Sequence, residues 1–255
     1  MRAFLFDLDG TLYEDGVPLP GAAETIAELR RRGYQVGFVT NTTSRSRRLL
    51  TERLAACGIP ATPEQISTAL IAGAEHLASR GFRRVSALVP QRAWEDLAAF
   101  ELTGERPEVV VVGDLDDTWD YAILNRAFRH LMDGAELVAL SRDRYWQRPD
   151  GLVLDCGPFV AALEYASGKT AHVCGKPSAD FYHTALASLG AWALERPEDV
   201  VMVGDDIWGD IEGAQRAGLR AWLVRTGKYR EEVFAKSGVR PDGAFASVAD
   251  VVSAL

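Results

Sequence analysis

The chain has 255 residues, 47% hydrophobic and 25% charged, the make-up of a globular protein with one large domain or two modest ones. A net charge of −8 argues against a dedicated nucleic-acid surface, which needs dense Lys/Arg patches, but permits a locally positive pocket for a small phosphorylated metabolite. No run approaches the roughly 20 apolar residues of a membrane span, Met1 to Asp7 turns acidic too soon for a secretory signal, and Cys57, Cys156 and Cys174 fit free thiols in a reducing, cytoplasmic setting.

Strand-length apolar runs alternate with amphipathic stretches. Ala3 to Phe6 reads as a buried parallel strand, Gly21 to Arg32 as a helix closed by Gly33, and Gln35 to Thr40 as a second strand. A helix follows from Ser44 to Ala56, stopped by Gly58 and Pro60. The middle has its own rhythm: strands at Val85 to Val89, Val109 to Val112 and Leu137 to Leu140, and helices at Ala93 to Leu102 and Trp119 to Met132. The last third gives strands at Ala171 to Val173, Val200 to Val203 and Arg220 to Val224, and helices at Ser178 to Leu189 and Asp210 to Ala217. The expected fold is α/β: a doubly wound parallel-sheet core (residues 1–77 and 171–255) carrying an inserted α/β domain (residues 78–170).

In an open parallel sheet, ligands bind beyond the carboxyl ends of the strands, so the polar residues just past each apolar run carry the information. Those residues are Asp7-Leu8-Asp9-Gly10-Thr11, Thr40-Asn41, Gly175-Lys176-Pro177 and Gly204-Asp205-Asp206 with Asp210. Crowded carboxylates repel unless a cation holds them, and oxygen-only ligands favour a hard ion such as Mg²⁺. A phosphate dianion beside ionised Asp7 and Asp205 brings about four negative charges, of which Mg²⁺ and Lys176 offset about three. Asp7 is placed to attack phosphorus, Asp9 to protonate the leaving oxygen and then take a proton from water, and Thr40 and Asn41 to donate to phosphoryl oxygens.

This set resembles the four motifs of the haloacid dehalogenase-like hydrolase superfamily, all present and in order. The long insertion between the second and third motifs, together with Arg225-Thr226-Gly227-Lys228-Tyr229, is similar to subfamily IIA, a branch of phosphatases with a large α/β cap. The resemblance implies Mg²⁺-dependent hydrolysis of a small phosphomonoester through an aspartyl phosphate. It makes Asp7 the nucleophile, Asp9 the acid/base, Thr40 and Asn41 the phosphate ligands and Lys176 the charge anchor. The metal falls to Asp7, the Asp9 backbone carbonyl and Asp205, with Asp206 and Asp210 in support. Caps of this branch often form dimers, so a homodimer through the cap is a further expectation.

Other readings compete. The same site would serve a phosphotransferase or phosphomutase, and a phospho-accepting switch also unites an acceptor Asp, a Ser/Thr, a Lys and Mg²⁺. Asp206 and Asp210 either touch the metal or cap the following helix. Asp114, Asp116, Asp117 and Asp120 read as a solvated loop with a helix cap. His76, His130, His172 and His183 show no paired ligand spacing and read as structural, and Cys174 reads as a small buried residue.

Overall fold

The computed structural model describes residues 1–148 and 151–255. They form two compact units: Met1–Thr40, Arg47–Ser67 and Lys176–Leu255 make the first, and Asn41–Ser46 with Thr68–Gly175 make the second.

The first unit is built on a six-stranded sheet. Its strands run in the order Gly243–Phe245, Arg220–Val224, Val200–Gly204, Ala3–Asp7, Gln35–Thr40 and Ile66–Thr68. Ala3–Asp7 lies inside the sheet, parallel to both neighbours, with Phe6 opposite Val203 on one side and Phe38 on the other. It is buried along its whole length, because both faces are covered, and that is why it reads as an unbroken apolar run. Phe4 and Phe6 join a cluster with Ile26, Leu29, Leu50 and Val251. Phe4 meets Tyr34 and Trp222 edge-on at 5.2 and 5.7 Å between ring centroids. Leu5 points to the opposite face, where the absent side chain of Gly37 leaves space for it and for Leu189. The helix Ala22–Arg31 buries Ala22, Thr25, Ile26 and Leu29, one stripe at helical spacing.

The second unit has a five-stranded parallel sheet in the order His172–Val173, Glu136–Ala139, Val109–Val112, Arg84–Leu88 and Glu101–Leu102. A short antiparallel pair, Tyr145–Arg148 with Gly151–Leu154, stands apart from it. The helices Tyr121–Met132 and Cys156–Ser167 supply Ala127, Leu131, Val160 and Leu163 to a core shared with Val110, Val112 and Leu137. Asp120 caps the first of these, accepting from the Ile123 amide at 2.6 Å.

Three expectations are corrected. The strand at His172–Val173 belongs to the second sheet, pairing with Val138 and Ala139, and not to the first. The helix expected from Ala93 to Leu102 is a 3₁₀ stretch, Gln91–Leu97, followed by the strand Glu101–Leu102. Parallel pairing with Arg84 and Val85, flanked by amide bonds from Glu101 and Thr103 to Arg83 and Val85, takes the backbone groups a helix would have used. The units also divide at 67/68 and 175/176 rather than at 77/78 and 170/171. The helix Ala69–Ser79, which has no counterpart in the sequence reading, opens the second unit, capped by the Thr68 hydroxyl at 3.0 Å from the Ile71 amide. At the other boundary Cys174 extends the second sheet by donating to the Ala139 carbonyl at 2.9 Å.

Among the described residues no helix is long and apolar enough to cross a membrane. Phe4→Ala should cost about 3–5 kcal/mol of stability, since it empties the centre of the first core. Urea unfolding measures this, and a loss below about 1 kcal/mol would show that the core closes around the cavity.

Candidate active site

Three neighbouring strands of the first sheet end at one rim. Asp7 is the last residue of Ala3–Asp7 and pairs with Val39, so Thr40 lies one step beyond it on the next strand. On the other side Val203 pairs with Phe6, which puts Gly204, and then Asp205, at the same level. Asp7, Thr40 and Asp205 are all buried, whereas Asp9, past the turn, is exposed.

Lys176 reaches this rim from the segment before the helix Ala179–Leu189. Its Nζ donates to Asp7 Oδ1 at 2.5 Å and to Asp210 Oδ1 at 2.6 Å. Asp210 is completely buried. One carboxylate oxygen from each of Asp7, Asp205 and Asp210 lies within 4.8 Å of the others.

Asp206 and Asp210 differ although they share a motif. The segment Ile207–Glu212 winds as a π-helix. Asp206 caps it, accepting from the Trp208 and Gly209 amides at 3.0 Å each, and pairs with the Lys228 ammonium at 3.2 Å. The Asp206 amide donates to Asp210 Oδ2 at 3.0 Å, leaving Oδ1 for Lys176. The cap reading therefore holds for Asp206, while Asp210 joins the carboxylate group.

Asp205 is fixed by two partners. The Thr11 hydroxyl donates to Oδ1 at 3.2 Å and the Lys228 amide to Oδ2 at 2.5 Å. Two glycines make this possible. Gly10 and Gly227 both have positive φ, 84° and 51°, and a Cβ built on either would overlap the Asp205 carboxylate. The Thr226 hydroxyl, donating to the Gly10 carbonyl at 2.5 Å, joins the two turns. The sequence reading gave no role to Thr11 or Lys228. Their signal lay in the motif text, in the Thr of Asp-Gly-Thr and the Lys of Thr-Gly-Lys-Tyr. Asn41 falls with the second unit, where its amide donates to Asp143 Oδ2 at 3.4 Å.

The electrostatics are out of balance. Three buried carboxylates face one buried ammonium, leaving two negative charges over if all are ionised. Burial pushes Asp7 up despite the pull of Lys176, pushes Asp205 well above the carboxylate range with Asp7 adding to it, and pushes Asp210 up to about 7 against Lys176. Burial alone would lower Lys176, but Asp210 and Asp7 hold it firmly protonated. Asp206 stays below its ordinary value despite burial, because Lys228 and the capping amides favour its charged form. A divalent cation fits this set: its charge equals the surplus and every donor is a hard oxygen.

The imbalance has a measurable sign. Asp210 keeps its proton up to about pH 7 when folded but only to about pH 4 when unfolded, so between these values the folded state binds more protons and stability falls as pH rises. In cation-free buffer the stability of the wild type relative to Asp210→Asn should fall from about pH 4 to about pH 7, and an added divalent cation should flatten that fall. A difference that stays flat across this window would mean that Asp210 is ionised throughout.

Two family models match the chain. One described as haloacid dehalogenase-like hydrolase covers residues 4–103 and one described as HAD-hydrolase-like covers residues 173–251. The haloacid dehalogenase-like hydrolase domain-containing protein 2 of Bos taurus is 44% identical over 90% of this chain and 86% of its own. The human phospholysine phosphohistidine inorganic pyrophosphate phosphatase is 35% identical over 100% of this chain and 94% of its own. Among solved structures, the p-nitrophenyl phosphatase from Archaeoglobus fulgidus superposes with a TM-score of 0.92 at 29% identity, covering 100% and 99% of the two chains. NagD from E. coli K-12 does so with a TM-score of 0.88 at 26% identity, covering 98% of each. The motifs at the strand ends, the two sheets and these matches agree: the chain belongs to the haloacid dehalogenase-like hydrolase family.

Proposed function

We propose that this protein is a Mg²⁺-dependent phosphatase that hydrolyses a small phosphomonoester through an aspartyl phosphate on Asp7. The observation that carries the proposal is the setting of Asp7: at the end of an interior strand, 2.5 Å from Lys176 and grouped with Asp205 and Asp210. Phosphatase names among the relatives and structural neighbours support the reaction class.

Asp7 and Asp205, with the Asp9 backbone carbonyl, would hold the ion, and Asp210 stands beside them. Bound there, Mg²⁺ would supply positive charge against the phosphoryl oxygens. A carboxylate oxygen of Asp7 attacks phosphorus and the ester P–O bond breaks. The leaving oxygen takes the proton of the Asp9 carboxyl group. Water then attacks phosphorus, gives a proton to the Asp9 carboxylate, and the bond between Asp7 and phosphorus breaks, releasing phosphate and restoring both carboxyl groups. Lys176 neutralises the charge gathered around Asp7, and the Thr40 hydroxyl donates to a phosphoryl oxygen. The exposure of Asp9 suits a group that exchanges protons with leaving group and water, and the burial of Asp7 suits a nucleophile shielded from bulk solvent.

Phosphate release from p-nitrophenyl phosphate, sugar phosphates, pyrophosphate and phosphoramidates tests the proposal. Turnover should require Mg²⁺, vanish in EDTA, fall to background in Asp7→Asn and drop about 10²–10⁴-fold in Asp9→Asn. Acid-quenched protein should carry phosphate on Asp7. Full activity in Asp7→Asn would end the proposal, transfer to an acceptor other than water would favour a phosphotransferase, and preference for pyrophosphate or phosphoramidates would replace the phosphomonoester as substrate.

A further inference from the structure

The second unit holds a group of side chains whose chemistry differs from that of the carboxylate site. His172 and Cys174 are two residues apart at the end of an edge strand that continues to Cys174 through its bond to Ala139. In extended chain, alternate residues face the same side, so imidazole and thiol project together. His76, in the last turn of the helix Ala69–Ser79, stands on that side. Its ring stacks on His172, with centroids 3.8 Å apart and planes at 11°. A donor atom from each of His76, His172 and Cys174 lies within 4.8 Å of the other two. Cys174 is fully buried, His76 half-buried and His172 exposed, so the group is closed on one side and open to solvent on the other. Sequence spacing hid it, because the histidines are nearly a hundred positions apart.

We propose that His76, His172 and Cys174 form a second metal site, for a borderline-soft divalent ion of the Zn²⁺ class. Two imidazole nitrogens and one thiolate are ligands such ions take and Mg²⁺ avoids. Zinc bonds of about 2.0–2.3 Å place donors roughly 3.3–3.7 Å apart, so the group must draw in by about an ångström. An imidazole binds a metal in the plane of its ring, so two rings stacked face to face cannot both aim at one ion, and the exposed His172 ring turns out of the stack on binding. Binding replaces the Cys174 thiol proton with the metal and releases that proton to solvent. The ion would tie the helix by which the chain enters the second unit to the strand by which it leaves, two residues before Lys176. It would act as a clip on that unit, without part in the phosphoryl chemistry.

Titration of the full chain with Co²⁺, in excess Mg²⁺ and with a non-chelating reductant, reads this site apart from the carboxylates, because only a sulfur ligand gives a thiolate-to-cobalt charge-transfer band. The expected result is that band at one equivalent, displaced by Zn²⁺, retained in Asp7→Asn, lost in Cys174→Ser, and requiring at least about tenfold more Co²⁺ in His172→Asn, where about 1.4 kcal/mol of binding is tenfold. The proposal fails if wild type gives no such band, in which case the two rings are packing alone, or if the band persists in Cys174→Ser. Should Cys174→Ser not fold, His172→Asn decides, since that side chain is exposed: unchanged Co²⁺ affinity there also overturns the site.

Discussion

Three carboxylates held out of water against a single ammonium are the constraint around which the first unit is arranged. Taking an ion out of water costs several kcal/mol, and only close opposite charge or hydrogen bonds offset it. The chain meets that cost locally wherever it can. Asp205 receives a hydroxyl and an amide, Asp210 receives an amide and Lys176, and Asp7 shares the same lysine. What these contacts leave uncompensated is the charge of a divalent cation. The site thus asks for its ion in the same terms in which it would later stabilise a phosphoryl group.

The backbone detail follows from that demand. Asp205 can lie in its place only because two glycine turns pass directly beneath it. Asp206 stands at the N-cap of the turn Ile207–Glu212 and Asp210 lies within it, bonded back to the Asp206 backbone at both its amide and its carboxylate. One acid becomes a cap that orders the turn, and the other is carried inward to the lysine. Position relative to the start of the turn is here the means by which neighbouring residues of one type acquire different surroundings.

The site was legible in sequence where topology forces the outcome. A buried parallel strand is a short apolar run, its end is where polarity returns, and in a parallel sheet the ends share a rim; Asp7, Thr40 and Asp205 could be placed on that basis. The distinction between Asp206 and Asp210 was not legible, because both are aspartates and only where the turn starts tells the capping one from the buried one. His172–Val173 misled for a related reason: an apolar-flanked pair looks the same whichever sheet it joins, and its partner, Val138–Ala139, is distant in the chain. The helix Ala69–Ser79 has no counterpart in the sequence reading, and its interior Gly73 is where Leu140 packs against it. At Ala93 to Leu102 local helical preference was real and lost to strand pairing.

The first unit is assembled from three separate stretches, whereas the second is nearly continuous. A ribosome delivers residues from the N-terminus onward, and domains fold as their segments emerge. Thr68–Gly175 can close on itself while the first sheet still lacks the strands Val200–Gly204 and Arg220–Val224. Asp7 therefore precedes in the chain every group it meets in the folded site, since Lys176, Asp205 and Asp210 all come later. The acids that repel Asp7 and the lysine that reconciles them thus arrive together, on the one segment Lys176–Leu255, after the second unit's sequence is complete.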